Sequence, residues 1–366
     1  MTTTDPTTPE AAASPDAAAP WAARLRRGLS FSSIGGIYVL LLAIVVFSIW
    51  VPETFPHFAT VRQILNNNSI SAMAGLTLIV PLAAGVFDIS VPYTMTLSGV
   101  LCTYAIVHNN APLPVAIVIA LAASVVVGVV NAVVVVSFKI DSLIGTLATG
   151  FLVQAVVKWR TGSRNVTDQK LSGSFTKIAR NQIGIGKNYS LTLPVFYVVA
   201  VAFVLWYMLE HTATGRRIYA TGFNRDASRL ATVRTERLRF GCLVASSFLA
   251  GITGIVLASS LGSGSPTGGN SYLLPAFAAV FLGATQLKNG RFNAWGTVIA
   301  VILLGTGTTG LGLAKQQQWV QDTFTGVVLI AALAVTGLQV RRAGSETKRL
   351  ARSRQRSSGQ PGGGEA

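Results

Sequence analysis

The chain has 366 residues, of which 51% are hydrophobic and only 11% are charged. Soluble domains average about 25% charged residues, so this composition excludes an ordinary soluble protein and predicts an all-α polytopic membrane protein. The net charge of +16 does not indicate a nucleic-acid partner, because the basic residues stand at the ends of apolar runs, where they set membrane topology. The two cysteines, Cys102 and Cys242, and the three histidines are scattered. The sequence therefore predicts no disulfide framework, metal site or cofactor.

Both ends of the chain differ from its apolar middle. Residues 1–30 are rich in Thr, Ala, Pro and Asp and lack an apolar signal-peptide core, which predicts a disordered cytoplasmic tail. Residues 341–366 are basic and then rich in Gly and Ser, which predicts a second disordered cytoplasmic tail. Residues 31–340 form the predicted transmembrane domain.

The apolar runs predict about ten transmembrane segments, since a helix needs about 20 apolar residues to cross about 30 Å of hydrocarbon. The eighth segment is short and as a helix covers only about 20 Å, so we predict a half-helix or re-entrant segment there. The segments are 34–51, 69–87, 91–108, 113–137, 142–160, 192–209, 238–261, 273–285, 294–314 and 320–340.

The distribution of basic residues predicts the orientation. With the N-terminus inside, the cytoplasmic parts of the chain hold 20 of the 29 Lys and Arg residues, as expected when positive charge stays inside. Both termini and the loop 210–237 are then cytoplasmic, and the loop 161–191 is external. That external loop is interpreted either as a plain connection or as a contact for an external partner.

Three polar residues inside the apolar runs are candidate pathway residues: Asp88, Asn131 and Gln154. A charge at mid-bilayer costs about 2.5–3.5 kcal/mol on insertion scales. Asp88 is therefore expected either to cap a helix at the membrane edge or to face a water-filled path. Most other polar groups at this depth, such as Ser246 and Ser247, are expected to bond to a neighbouring helix, and a few to line a route for a polar solute.

The basic stretch 214–234 predicts a docking element. Asn224 is placed to cap a short helix. Ala227, Leu230 and Ala231 fall at helical spacing and form one apolar stripe, while Arg229 lies on another face. A helix of about two turns is not stable alone in water, so a partner protein or the membrane surface must hold it. Docking in a groove on a partner and adhesion to anionic lipid both remain open.

The sequence contains no motif for nucleotide chemistry. It has no Gly-x-x-x-x-Gly-Lys-[Ser/Thr] loop and no Gly-x-Ser-x-Gly elbow, so the chain is not expected to hydrolyse ATP or to be an enzyme. If ATP drives its function, a separate polypeptide must bind the nucleotide.

Four motif regions give the chain a family resemblance. Ala84-Gly-Val-Phe-Asp-Ile-Ser90, Gly128-Val-Val-Asn131 with Gly145-Thr-Leu-Ala-Thr149, the stretch 214–234, and the run from Leu261 to Thr297 resemble the membrane permease of ribose/xylose-type ABC importers for simple sugars. Departures such as Pro92 and Ser228, where the family usually has Gly and Ala, bear on the solute.

The resemblance implies a type II ABC importer-like bundle in a bacterial inner membrane. It implies a cytoplasmic ATP-binding subunit, an external solute-binding protein, and a second permease copy or a related permease. The family's coupling motif falls on Gly215, Arg216, Gly222, Asn224, Ala227 and Arg229. The alternatives are a self-sufficient secondary transporter, an ABC permease for a nucleoside or furanose signalling molecule, and a membrane enzyme or scaffold.

Overall fold

The computed structural model describes five stretches of the chain, and both predicted tails lie outside them. Within the described residues the secondary structure is almost entirely helical, which confirms the predicted all-α class. The described residues are 31–184, 190–286, 290–315, 317–332 and 334.

The long helices follow the predicted apolar segments closely. The elements are α1 Phe31–Trp50, α2 Phe58–Ala83, α3 Val91–Asn109, α4 Leu113–Ala132, α5 Ser142–Thr161, α6 Ser174–Arg180, β1 Gln182–Gly184, β2 Ser190–Thr192, α7 Leu193–Trp206, α8 Ala213–Phe223, α9 Arg225–Leu230, α10 Thr235–Leu261, α11 Leu273–Gln286, α12 Ala294–Leu313 and α13 at 318–332. Helices α4 and α7 continue into short π-helical turns at Val133–Ser137 and Tyr207–His211. Strands β1 and β2 pair as a two-stranded antiparallel sheet.

Five helical stretches among the described residues are long and apolar enough to cross a membrane. Two shorter apolar helices, Ile37–Trp50 and Asn270–Thr285, accompany them. The second of these contains the predicted short segment, where α11 has 14 residues. The five long stretches are Leu113–Ser137, Ser142–Thr161, Leu193–His211, Thr235–Leu261 and Ala294–Leu313.

Helix α2 begins eleven residues before the predicted segment at 69–87. Polar residues at its start, including Asn66 and Asn68, interrupt the apolar run, but the helix continues through them. The side-chain oxygen of Asn66 accepts hydrogen bonds from the backbone N–H and the hydroxyl of Thr192, at 3.1 and 3.0 Å. The amide of Asn68 donates to Ile64 O at 2.9 Å, within the helix. The polar run is thus satisfied inside the bundle rather than in a loop.

Helix α10 lies at the centre of the bundle, in contact with α2, α3 and α4. In its most apolar stretch 61% of the residues are buried, against 28% for α4. Small residues along α10 allow this close packing: the hydroxyl of Ser98 on α3 donates to Gly251 O at 2.9 Å. Because the hydrophobic effect does not drive helices together in lipid, close packing and interhelical hydrogen bonds of this kind stabilise the bundle.

Helix α6, in the predicted external loop 161–191, packs onto the end of α10. The hydroxyl of Ser259 accepts from Ala179 N at 3.0 Å and donates to Phe175 O at 2.7 Å. Arg180 Nε donates to Ser260 O at 3.0 Å. This helix, in a loop that the sequence left open between a plain connection and a contact for an external partner, therefore covers one end of the bundle.

We predict that Gly254→Val destabilises the protein, because a Cβ at Gly254 would collide with the backbone oxygen of Met95. Overpacking of this kind costs about 1–3 kcal/mol. The unfolding midpoint in detergent is the measurement. Gly241→Val is the matched control on the same helix, since a Cβ at Gly241 meets no atom within 4 Å. Equal midpoints for the two variants would contradict the packing of α3 on α10.

Candidate functional site

The break between α2 and α3 is the irregular backbone around which the polar groups gather. Gly85 ends the helix with φ +70, a conformation that glycine adopts without steric cost. The following backbone N–H groups find acceptors on α5: Phe87 N donates to Ser142 Oγ at 3.2 Å and Ile89 N to Thr146 Oγ1 at 3.0 Å. Irregular backbone at membrane depth is tolerated when it is buried in protein and satisfied in this way.

Asp88 lies in this break and is completely buried. Its carboxylate accepts from the hydroxyl of Ser90 at 2.6 Å and from the hydroxyl of Ser246 at 2.8 Å, and Ser90 N adds a third hydrogen bond at 3.1 Å. Ser90 Oγ in turn accepts from Asn131 Nδ2 at 2.6 Å. The network joins the break, α4 and α10. Asp88 therefore occupies a cap-like position just before α3, but inside the bundle rather than at an exposed edge.

The structure brings together two of the three candidate pathway residues. Asn131 belongs to the Asp88 network, whereas Gln154 donates to Pro266 O at 2.6 Å beside the loop that follows α10. Within the described residues, Asn131 Oδ1 and Gln154 Oε1 are buried without a hydrogen-bond partner. Such orphan acceptors are uncommon and indicate a place for water or a polar solute. The described residues contain no group of His, Cys, Asp and Glu that could hold a metal ion.

The predicted loop 210–237 contains two helices, and the first of them, α8, is anchored on the bundle. Gly215 lies against the preceding π-helical turn, where a Cβ would collide with Leu209 O. The hydroxyl of Tyr219 donates to Phe292 O, and the guanidinium of Arg291 stacks over the Tyr219 ring, 4.1 Å from its centroid. Burial raises the pKa of Tyr219 to about 12, so the phenol stays protonated and keeps this hydrogen bond at physiological pH.

Gly222, near the end of α8, touches the break that contains Asp88. A Cβ at Gly222 would collide with Ala83 O, and a Cβ at Gly85 would lie 3.2 Å from Gly222 Cα. The two backbones therefore meet with no side chain between them.

The second helix, α9, is capped as predicted but presents most of its surface to solvent. Asn224 Oδ1 accepts from Ala227 N at 3.0 Å, which confirms the predicted N-cap. Ala227 and Leu230 of the predicted apolar stripe are exposed, and only Ser228 is buried. Phe223 and Leu230 are 90% and 87% exposed. Phe223 at the end of α8 and Leu230 at the end of α9 are therefore two large apolar side chains that the described residues leave uncovered.

The basic residues assigned to this region are also exposed. Arg216 on α8 and Arg229 on α9 both face solvent. Arg225, at the start of α9, pairs with Glu236 of α10 at 3.5 Å. The side chains of Arg216 and Arg229 are thus accessible to an acidic surface, whereas Arg225 attaches α9 to the bundle.

Sequence reasoning missed two parts of this arrangement. It did not predict α8, which begins after Thr212, whose hydroxyl accepts from Gly215 N at 3.1 Å. The signal was present: a Thr cap precedes small or apolar residues at helical spacing. It also did not assign Ser142 and Thr146 as acceptors for the broken backbone, because no local pattern connects them with a loop more than fifty residues away.

Taken together, these features define a multi-pass membrane protein with a helical bundle around buried polar groups and an anchored, basic helix pair at one end. Residues 60–333 match the family described as "Branched-chain amino acid transport system / permease component". Because this match spans most of the chain, the chain belongs to that permease family.

Several sugar import permeases are similar over most of their length. Ribose import permease protein RbsC of Escherichia coli strain K12 is 32% identical over 302 residues, which cover 81% of this chain and 92% of that protein. RbsC of Bacillus subtilis is 29% identical over 81% of this chain and 89% of that protein. Fructose import permease protein FrcC of Rhizobium meliloti is 28% identical over 82% and 83%, respectively. The resemblance to sugar permeases that the motifs indicate is confirmed.

We predict that Asp88→Leu destabilises the protein, because it removes the acceptor for two buried hydroxyl groups. Each unsatisfied buried group costs about 1–3 kcal/mol. Ser246→Ala is the milder comparison, since it deletes one donor and leaves the carboxylate its two bonds from Ser90. Unfolding free energies of the purified variants are the measurement. A smaller loss for Asp88→Leu than for Ser246→Ala would contradict the network.

Proposed function

We propose that this chain is the membrane permease subunit of an ATP-binding cassette importer and carries a monosaccharide of the ribose or xylose type across the membrane. The observation that carries the proposal is the similarity to ribose, arabinose and fructose import permeases over most of their lengths. The absence of a phosphate-binding loop from the sequence agrees with ATP hydrolysis in a partner subunit.

The exposed surface formed by α8 and α9 together is the proposed docking site for that ATPase. Phe223 and Leu230 supply apolar anchors, and Arg216 and Arg229 supply positive charge around them. An apolar pocket with an acidic rim on the partner complements this surface. Gly215, Gly222, Asn224 and Ala227 complete the proposed coupling motif by shaping the two helices rather than by contacting the partner through long side chains.

In this proposal, the contact between α8 and the break transmits movement from the ATPase to the Asp88 loop. Closure of the ATPase dimer pushes on α9, and α8 moves with it because the two helices are joined at Asn224. Gly222 then displaces Gly85 and the Asp88 loop, which is bonded to α5 and α10. We propose that Asp88 and Asn131 border the pathway and that this displacement switches its accessibility, a rigid-body form of alternating access.

The proposed membrane arrangement has about ten spans with both termini in the cytoplasm of a bacterium. The charge bias supports this orientation. In this orientation α8 and α9 lie inside and the loop 161–191 lies outside. A helix of 14 residues at α11 fits the half-helix or re-entrant assignment. In this arrangement the outer segment faces an external solute-binding protein, and a second permease copy or a related permease completes the pathway.

The solute class is the least constrained part of the proposal. The family description names branched-chain amino acids, whereas the similar permeases described above are named for sugars. The observed departures, such as Pro92 at the start of α3, leave a nucleoside or a furanose signalling molecule as alternatives. Solute binding to the partner binding protein distinguishes these classes.

Docking predicts that Arg229→Glu combined with Ala227→Asp abolishes ATPase co-purification and uptake while membrane insertion stays normal. Both positions are exposed on α9, so the substitutions change the surface without disturbing the core. The matched control is Arg229→Lys with Ala227→Ser, which preserves charge and size and should retain uptake. Normal uptake and unchanged ATPase co-purification in the first variant would exclude the docking role.

The division of labour predicts that the purified chain alone does not accumulate sugar in sealed vesicles. Addition of the ATPase, ATP and the binding protein should restore accumulation. Asp88→Asn should still support ATP-dependent uptake, because the amide keeps an acceptor oxygen for the network. Accumulation by the chain alone, abolished by Asp88→Asn, would instead identify a secondary transporter with Asp88 as its coupling-ion site.

A further inference from the structure

A cleft with basic walls lies where the turn between α4 and α5 meets α9 and α10. Lys139, Arg225 and Arg239 line it, and we call it the basic cleft. Its volume is about 350 Å³, within the range of about 300–1,000 Å³ that small-molecule sites occupy. The three cations come from three separate parts of the chain, so the fold itself assembles this positive site.

The charges in the basic cleft do not balance. Arg225 has Glu236 as its partner at 3.5 Å, and Asp141 uses its carboxylate to cap the start of α5. Three cations thus face two carboxylates, which leaves one surplus positive charge. Among the described residues, Arg225 Nε is a buried donor without an acceptor.

The position of the basic cleft relates it to the membrane surface. It lies at the common end of three helices that are long and apolar enough to span a membrane: 113–137, 142–161 and 235–261. Phe138 and Ile144, on either side of the turn that carries Lys139, are 69% and 66% exposed. The positive charge of Lys139 therefore lies beside exposed apolar side chains. This arrangement matches the boundary between the anionic headgroups of a membrane and their acyl chains.

We infer that the basic cleft binds the headgroup phosphate of one anionic phospholipid. A phosphodiester carries one negative charge and several acceptor oxygens, which match the surplus charge and the basic side chains that line the cleft. The acyl chains of the same molecule lie along Phe138 and Ile144. Free phosphate satisfies the charge but leaves those side chains uncovered, so the lipid accounts for both observations. The site depends neither on the transported solute nor on the ATPase.

Native mass spectrometry of the full-length purified chain tests this site with phosphatidylglycerol, phosphatidylcholine and inorganic phosphate as probes. One phosphatidylglycerol per chain should stay bound, and phosphatidylcholine should not. Each basic residue contributes about a factor of five in affinity, so the combination of Lys139→Gln, Arg225→Gln and Arg239→Gln should weaken phosphatidylglycerol binding roughly a hundredfold. The matched control is Arg237→Gln, on the same helix but lining another cavity, and it should bind normally.

Two further variants separate charge from folding. Lys139→Gln alone alters only an exposed turn and should weaken binding about fivefold, whereas Lys139→Arg should bind as the wild type does. Equal binding of phosphatidylcholine, or an unchanged affinity in the triple variant, would overturn the assignment. Displacement of phosphatidylglycerol by inorganic phosphate at similar concentration would assign the cleft to a soluble phosphate. Loss of ATPase co-purification with lipid binding intact would assign it to a protein partner.

Discussion

The hydrogen bonding of a buried carboxylate at a break in the backbone constrains the arrangement of the whole bundle. An unpaired charge buried in protein costs several kcal/mol, and the loop around it has backbone donors that must find acceptors within the bundle. Hydroxyl groups from α5 and α10, together with the cap of α3, satisfy both. Helices that are distant in sequence must therefore converge on Asp88 before the fold is complete. The small residues of α10 make that convergence sterically possible.

The basic stretch 214–234 contains two helices that differ in how firmly the bundle holds them. Helix α8 is held by Tyr219, Arg291 and a backbone contact at Gly222, whereas every residue of α9 except Arg225 and Ser228 is exposed. This division suits an element that receives a force at one surface and delivers it at another. A flexible loop in the same place would absorb the movement, because nothing would connect its exposed part to the Asp88 loop.

Sequence patterns predicted the parts of the molecule that depend on local physics. The apolar runs gave nearly every long helix to within a few residues, and Asn224 was recognised as a cap because its neighbours have the right spacing. The start of α2 was wrong, since Asn66 finds its partner in Thr192, which no local pattern reveals. The same limit applies to the Asp88 network, in which Ser246 lies 158 residues away. Tertiary hydrogen bonds of this kind are decided by packing, and hydropathy contains no information about them.

Helix α10 has a mechanical consequence for the two faces of the membrane. Its 27 residues form a rod about 40 Å long at 1.5 Å per residue. Near one end, Glu236 is paired with Arg225 of α9, and at the other end Ser259 is bonded into α6. The rod therefore connects α6 at one end of the bundle with α9 at the other end. A tilt of the rod would move these two helices in opposite directions.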